Sequence, residues 1–227
     1  MLNADDLLVS PIVANATMNR GRGLSGVNSY GRELRLDIAA FLERRVRERG
    51  EAVWVDLCCG EGRALLEAGR QSLVTDWGSS VRIVGVDLVG MFAAEDAPNV
   101  RLIAGDVAAF TPDAPVDLIT CVHGLHYLGD TLGVLESAYA MLGRGGVFLG
   151  SLDPQNVRGR ESGESVWRQA AAFARRAGVA PVLKSHVLRL ERGEGRLDFG
   201  LTYEGATVSA KPNYSGITVI DSWYALP

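Results

Sequence analysis

Three carboxylates, each closing an apolar run, and two histidines three residues apart are the side chains whose types and spacing suit chemistry. The acids are Asp56 after Val53-Trp54-Val55, Asp87 after Ile83-Val84-Gly85-Val86, and Asp106 after Leu102-Ile103-Ala104-Gly105. Asp56 leads into Leu57-Cys58-Cys59-Gly60-Glu61-Gly62, two small thiols and two glycines ahead of the helix-favouring Arg63-Ala64-Leu65-Leu66-Glu67-Ala68-Gly69. Gly60 and Gly62 permit a tight turn and close approach of a ligand to bare backbone, and the amides that open the helix would face that ligand. An acid ending the second strand of a doubly wound sheet is placed to accept both hydroxyls of a ribose. Asp87 therefore reads as a nucleoside ligand, with a helix N-cap as the plain alternative. His123 and His126 suit removal of a proton from a hydroxyl or ammonium, because an unperturbed imidazole titrates near about 6.5. On one helical face they would also form a metal pair, but no third ligand stands nearby in the sequence and no metal is expected. A purely structural pair of histidines is the other reading.

Those groups need elements to hold them. Ala52 to Leu57 is β-rich and uncharged until Asp56, as in a strand covered on both faces. Comparable runs predict strands at 81–87, 100–107, 116–122 and 147–152. Helical spacing of Leu34, Ile38, Phe41, Leu42 and Val46 predicts one helix from Arg32 to the stop at Gly50. Leu132 to Leu142 and Val166 to Ala177 repeat that pattern. The remainder reads as β, with segments 182–191 and 196–203 flanking a hairpin turn at Arg192-Gly193-Glu194-Gly195 and a last strand from Ile217 to Tyr224. Residues 1–30 combine an apolar run, Leu7 to Val13, with a Gly/Arg/Asn-rich loop.

Asp56-Leu57-Cys58-Cys59-Gly60-Glu61-Gly62 resembles the first motif of class I S-adenosylmethionine-dependent methyltransferases, an acid followed by alternating glycines, with Cys58 standing where the family has its first glycine. A dinucleotide-binding turn, G-x-G-x-x-G/A, fits less well, since Leu65 falls on its third small position. The resemblance implies an α/β fold: a doubly wound, seven-stranded, mostly parallel Rossmann-like sheet with an N-terminal lid segment at residues 1–31 and a methyltransferase domain at 32–227. It implies S-adenosylmethionine as cofactor. Asp56, Cys58, Gly60 and Gly62 would bind it at the first motif, Asp87 at the ribose and Leu88 against the adenine. Asp106 would meet the adenine amino group and Val107 a ring nitrogen, with Cys121 at the end of the fourth strand and Tyr30 reaching in from the lid. An ordinary surface linker is the alternative for the lid segment. His123 and His126 become candidate bases, and His123, Tyr127 and Tyr214 candidate contacts to the methyl acceptor.

At 227 residues and 47% hydrophobic composition the chain can bury one substantial core. Its net charge of -4 argues against a nucleic-acid partner, and Arg44, Arg45, Arg47 and Arg49 alternate with Glu43 and Glu48. An odd count of 3 cysteines, on apolar segments, suits reduced thiols in a cytoplasm. No apolar run approaches the roughly 18 residues of a membrane span. The expected activity is methyl transfer to oxygen or nitrogen of a small molecule, with no membrane partner and the oligomeric state open. Protein or RNA methylation, and a repurposed subunit that transfers nothing, are the competing readings.

Overall fold

A computed structural model describes residues 21–227. The run Leu7 to Val13 and the start of the glycine-rich loop lie outside the described residues. Where one helix was expected after Arg32, there are two, α1 (Tyr30–Leu34) and α2 (Ile38–Arg49). Arg35 turns left-handed at φ 53° and the Asp37 carboxylate accepts from the Ala40 amide, so that Asp37 caps a fresh helix. β1 (Ala52–Leu57) follows and runs through the turn into α3 (Arg63–Leu73). β2 (Val81–Asp87), β3 (Val100–Ala104) and β4 (Val116–Cys121) come next. Then come α4 (Thr131–Met141), β5 (Leu142–Ser151), β6 (Val157–Gly159) and α5 (Trp167–Arg176). β7 (Val182–Lys184), β8 (Val187–Glu191), β9 (Thr202–Val208) and β10 (Ile220–Ala225) complete the chain.

The main sheet has seven strands in the order β3-β2-β1-β4-β5-β8-β7. β1 to β5 are parallel, and β8 joins β5 antiparallel. The strand order reverses between β1 and β4, which makes the carboxyl ends of those two strands the switch point where ligands of open α/β sheets bind. Alternation along β1 divides the core. Val53, Val55 and Leu57 face one buried cluster with Tyr139 and Phe148, while Ala52 and Trp54 face a second with Phe41, Leu42 and Leu65. Asp56 shares the face of Trp54, and the register pairs it with Thr120 on β4. Asp117 opens β4 at the far edge, where Arg45, Arg49 and the Val53 amide hold it. It ties α2 to the start of the sheet.

The C-terminal expectations need correction. Segment 182–191 is itself a hairpin, turning at Ser185-His186, and Arg192 to Gly195 leads the chain out of the sheet. Residues 196–201 form no strand, because Leu197 and Phe199 pack down on the helices, with Phe199 5.9 Å from Trp167. The last strand does not complete the main sheet. β10 pairs with β6 and β9 in a separate three-stranded sheet, held to α4 where Tyr224 donates to Asp130 and accepts from the Leu132 amide. Among the described residues no helix is long and apolar enough to cross a membrane.

Candidate functional site

The loops beyond β1, β2, β3 and β4 meet at the carboxyl edge. Beyond β1 the chain turns through Cys58, Gly60 and Gly62, all at positive φ (60°, 60° and 73°), and Gly62 opens α3. At Gly62 a β-carbon would stand 2.8 Å from a Leu102 methyl, and the positive φ there strains any other residue. Asp87, 8% exposed, reaches across from the end of β2. One of its oxygens accepts from the Gly60 amide at 2.9 Å and the other from the Val89 amide at 3.1 Å. The carboxylate therefore pins the turn from the end of β2. Leu88 follows it, half-buried. Asp106 is exposed and accepts from the Ala108 amide, which sets the turn on which Val107 sits.

Three of the expected contacts stand behind this edge instead of on it. Asp56 is fully buried and accepts from the Tyr30 hydroxyl at 2.7 Å and from the Thr120 hydroxyl, which in turn accepts from Trp54 Nε1. Tyr30, also buried, begins α1, so its hydroxyl braces the strand end and the N-terminal segment together. Cys121 is fully buried, and a β-carbon on Gly124 would clash with both its sulfur and Cys58. Cys58 itself is half-buried, and its hydrogen bond to Cys121 together with burial pushes its thiol pKa up, keeping it protonated. Burial lifts the Asp56 carboxyl to about 7, opposed by the two hydroxyl donors. Tyr30→Phe removes one of those donors from a buried carboxylate, at a cost of about 2 kcal/mol, or roughly 5 °C in a chain of this size. The lost hydrogen bond stabilises the ionised form of Asp56, so the drop in unfolding midpoint should be larger at pH 8 than at pH 5.

Beyond β4 lie the histidines. His123 takes a left-handed conformation at φ 58° and precedes a 3-10 turn, Gly124–Tyr127, that carries His126 and the half-buried Tyr127. The His123 and His126 rings stand 5.7 Å apart. Tyr214, from the loop between β9 and β10, lies 6.4 Å from His123 and 5.5 Å from His126. Its amide donates to Asp153 just past β5. The third histidine, His186, stacks on Tyr214 with centroids 3.7 Å apart and planes 11° from parallel. All three histidines of the chain thus collect around one tyrosine. Among the described residues no group of three His, Cys, Asp or Glu side chains could hold a metal ion.

Glu33 of α1 approaches His123, with 3.5 Å between its carboxylate and Nε2, and Arg22 holds that carboxylate at 2.8 Å. Burial, then the Arg22 charge, lower the His123 pKa, while Glu33 works against them. Burial, then His123 and His186, lower His126 to about 3. Burial and the two neighbouring imidazoles favour the neutral form of His126, while His123 has a carboxylate, Glu33, facing its Nε2. Sequence reasoning missed Glu33 and His186. Glu33 has the look of any exposed helical acid, and His186 sits inside what reads as one long strand.

The model of the methyltransferase domain matches residues 30–188. Among solved structures, YjhP of E. coli is 24% identical with a TM-score of 0.38, over 50% of this chain and 47% of that one. The magnesium protoporphyrin IX methyltransferase of Synechocystis PCC 6803, solved with bound SAM, is 12% identical with a TM-score of 0.44, over 74% of this chain and 86% of that one. The match with YjhP thus spans about half of that chain. No curated protein sequence matches.

Proposed function

Because the chain belongs to the methyltransferase-domain family, we propose that it transfers a methyl group from S-adenosylmethionine to oxygen or nitrogen of a small molecule. The observation that carries this reading is the meeting, at one switch point, of a glycine turn pinned by a strand-end acid and a buried histidine backed by a carboxylate. The residues fit the cofactor. Asp87 ends the second strand, where an acid suits ribose hydroxyls, the bare backbone of Gly60 and Gly62 admits close approach, and the N-terminus of α3 suits a carboxylate. Leu88 and Val107 would line the adenine, with Asp106 toward its amino group and Cys58 beside it. Asp56, Tyr30 and Cys121 position that shell from behind.

The bound sulfonium supplies an electrophilic methyl group. The chain's own share is orientation and proton handling. Holding the acceptor in line can contribute about 7 to 11 kcal/mol of the barrier. His123 accepts the acceptor's proton as its oxygen or nitrogen gains the methyl, and Glu33 holds the imidazole and offsets the charge it takes up. Titration with S-adenosylmethionine, S-adenosylhomocysteine and NAD, followed by thermal unfolding, tests the cofactor. At about a hundred times its dissociation constant a ligand adds roughly 2.7 kcal/mol, a shift of several degrees here. The two sulfur nucleosides should produce it, and a shift with NAD alone would overturn the reading.

A further inference from the structure

We infer that His126, His186 and Tyr214 form the wall of the acceptor pocket, and that the acceptor is an uncharged aromatic ring bearing a hydroxyl group. The inference rests on the reading of this edge as a methyl-transfer site and deepens it. The register places the wall there. Ser151, the last residue of β5, pairs with Val187, so the Ser185-His186 turn projects past the carboxyl end of the parallel strands. That turn has two consecutive non-glycine residues at positive φ, 48° and 62°. Hairpins place Asn-Gly at such turns because other residues are strained there. Cys58 and His123 share the same strained conformation at the same edge. Strain concentrated in this way is the mark of side chains held for a purpose beyond packing.

Hydrogen-bonding capacity points to a ligand. Nδ1 of His123, Nε2 of His126 and Nδ1 of His186 are buried and have no hydrogen-bond partner among the described residues, while His123 Nε2 faces Glu33 at 3.5 Å. Buried polar groups are otherwise almost always satisfied, and a hydroxyl, which both donates and accepts, suits neutral imidazole nitrogens. Shape points to a flat one. The stacked His186 and Tyr214 rings present planar faces, and Tyr214 remains 41% exposed, so a ring has access.

Charge selects against the alternatives. Arg22 and Glu33 form an ion pair beside the cluster and offset each other. The burial that favours neutral His123 and His126 would also act against an ammonium on the ligand. A carboxylate would meet Glu33 and imidazole lone pairs, with Arg22 already engaged.

Calorimetric titration of the full chain, in the presence of S-adenosylhomocysteine, with catechol, benzylamine and benzoate tests the assignment. Catechol should bind at least about tenfold more tightly than either charged ring. His186→Asn keeps a residue that tolerates the left-handed turn but removes the ring. It and Tyr214→Leu should each weaken catechol about tenfold or more, with S-adenosylhomocysteine binding unchanged. Benzylamine or benzoate binding as well as catechol, no catechol binding at millimolar concentration, or both variants binding it like the native chain would overturn the inference. Loss of S-adenosylhomocysteine binding in the native chain would sink the cofactor reading alone. The catechol comparison would still decide this one.

Discussion

Asp87→Ala is expected to weaken S-adenosylhomocysteine binding about 100-fold or more while leaving the chain folded. Two losses combine. The ribose would lose a charged acceptor, and a charge-assisted hydrogen bond of this kind contributes about 1.5 to 3 kcal/mol. The Gly60 and Val89 amides would also lose the carboxylate that fixes them, so the turn would no longer be held in its binding shape. A hundredfold change corresponds to about 2.7 kcal/mol, within the range of the first loss alone. Asp87→Asn separates them in part, since its amide nitrogen would face a backbone donor on one side. Calorimetry with S-adenosylhomocysteine, alongside circular dichroism, reads the outcome. Binding unchanged in the alanine variant would remove Asp87 from the cofactor site.

The same residue shows why the parallel half of the fold was legible. Each strand from β1 to β4 is a short apolar run ended by a polar or glycine-rich signal, and those endings are the site, so pattern and chemistry coincide. The C-terminal third has no such coincidence. Segment 182–191 alternates well enough to read as one strand, because Ser185-His186 has neither the glycine nor the asparagine that marks a two-residue hairpin turn, yet both residues take left-handed backbone. Ile220–Ala225 has the pattern of a sheet strand, and pattern alone does not say which sheet. The partners of Asp56 were not legible for a related reason. An acid at a strand end suggests a ligand contact, but the parity that puts it on the face of Trp54 aims it at Tyr30 and Thr120. Glu33 and His186 join the site through tertiary contacts that no local spacing encodes.

The largest effect on turnover should come from His123. His123→Ala is expected to lower kcat by about 10²- to 10³-fold with S-adenosylhomocysteine affinity intact, within the range of a positioned general base. Release of S-adenosylhomocysteine with catechol as acceptor would measure it, and full turnover would dismiss the base. The proton equilibrium of the imidazole gives a sharper discrimination. The groups facing His123 are Glu33, Arg22, His126 and the Tyr214 ring. Burial and Arg22 hold its pKa below the ordinary imidazole value, so the neutral, proton-accepting form prevails at pH 7 and the rate should fall only at acid pH. Glu33→Gln removes a negative charge that stabilises the imidazolium. The limb should therefore move to still lower pH, while kcat at the plateau drops about tenfold as the protonated product of the transfer step is less well stabilised. Arg22→Gln removes a positive charge and should move the limb the other way, toward higher pH. Glu33 acts as a positioning residue through His123, and displacement of the His123 titration in opposite directions by the two variants, followed by NMR of histidine-labelled protein, is a signature that loss of packing does not produce. Two variants that shift it in the same direction, or not at all, would mean that Glu33 does no more than anchor α1.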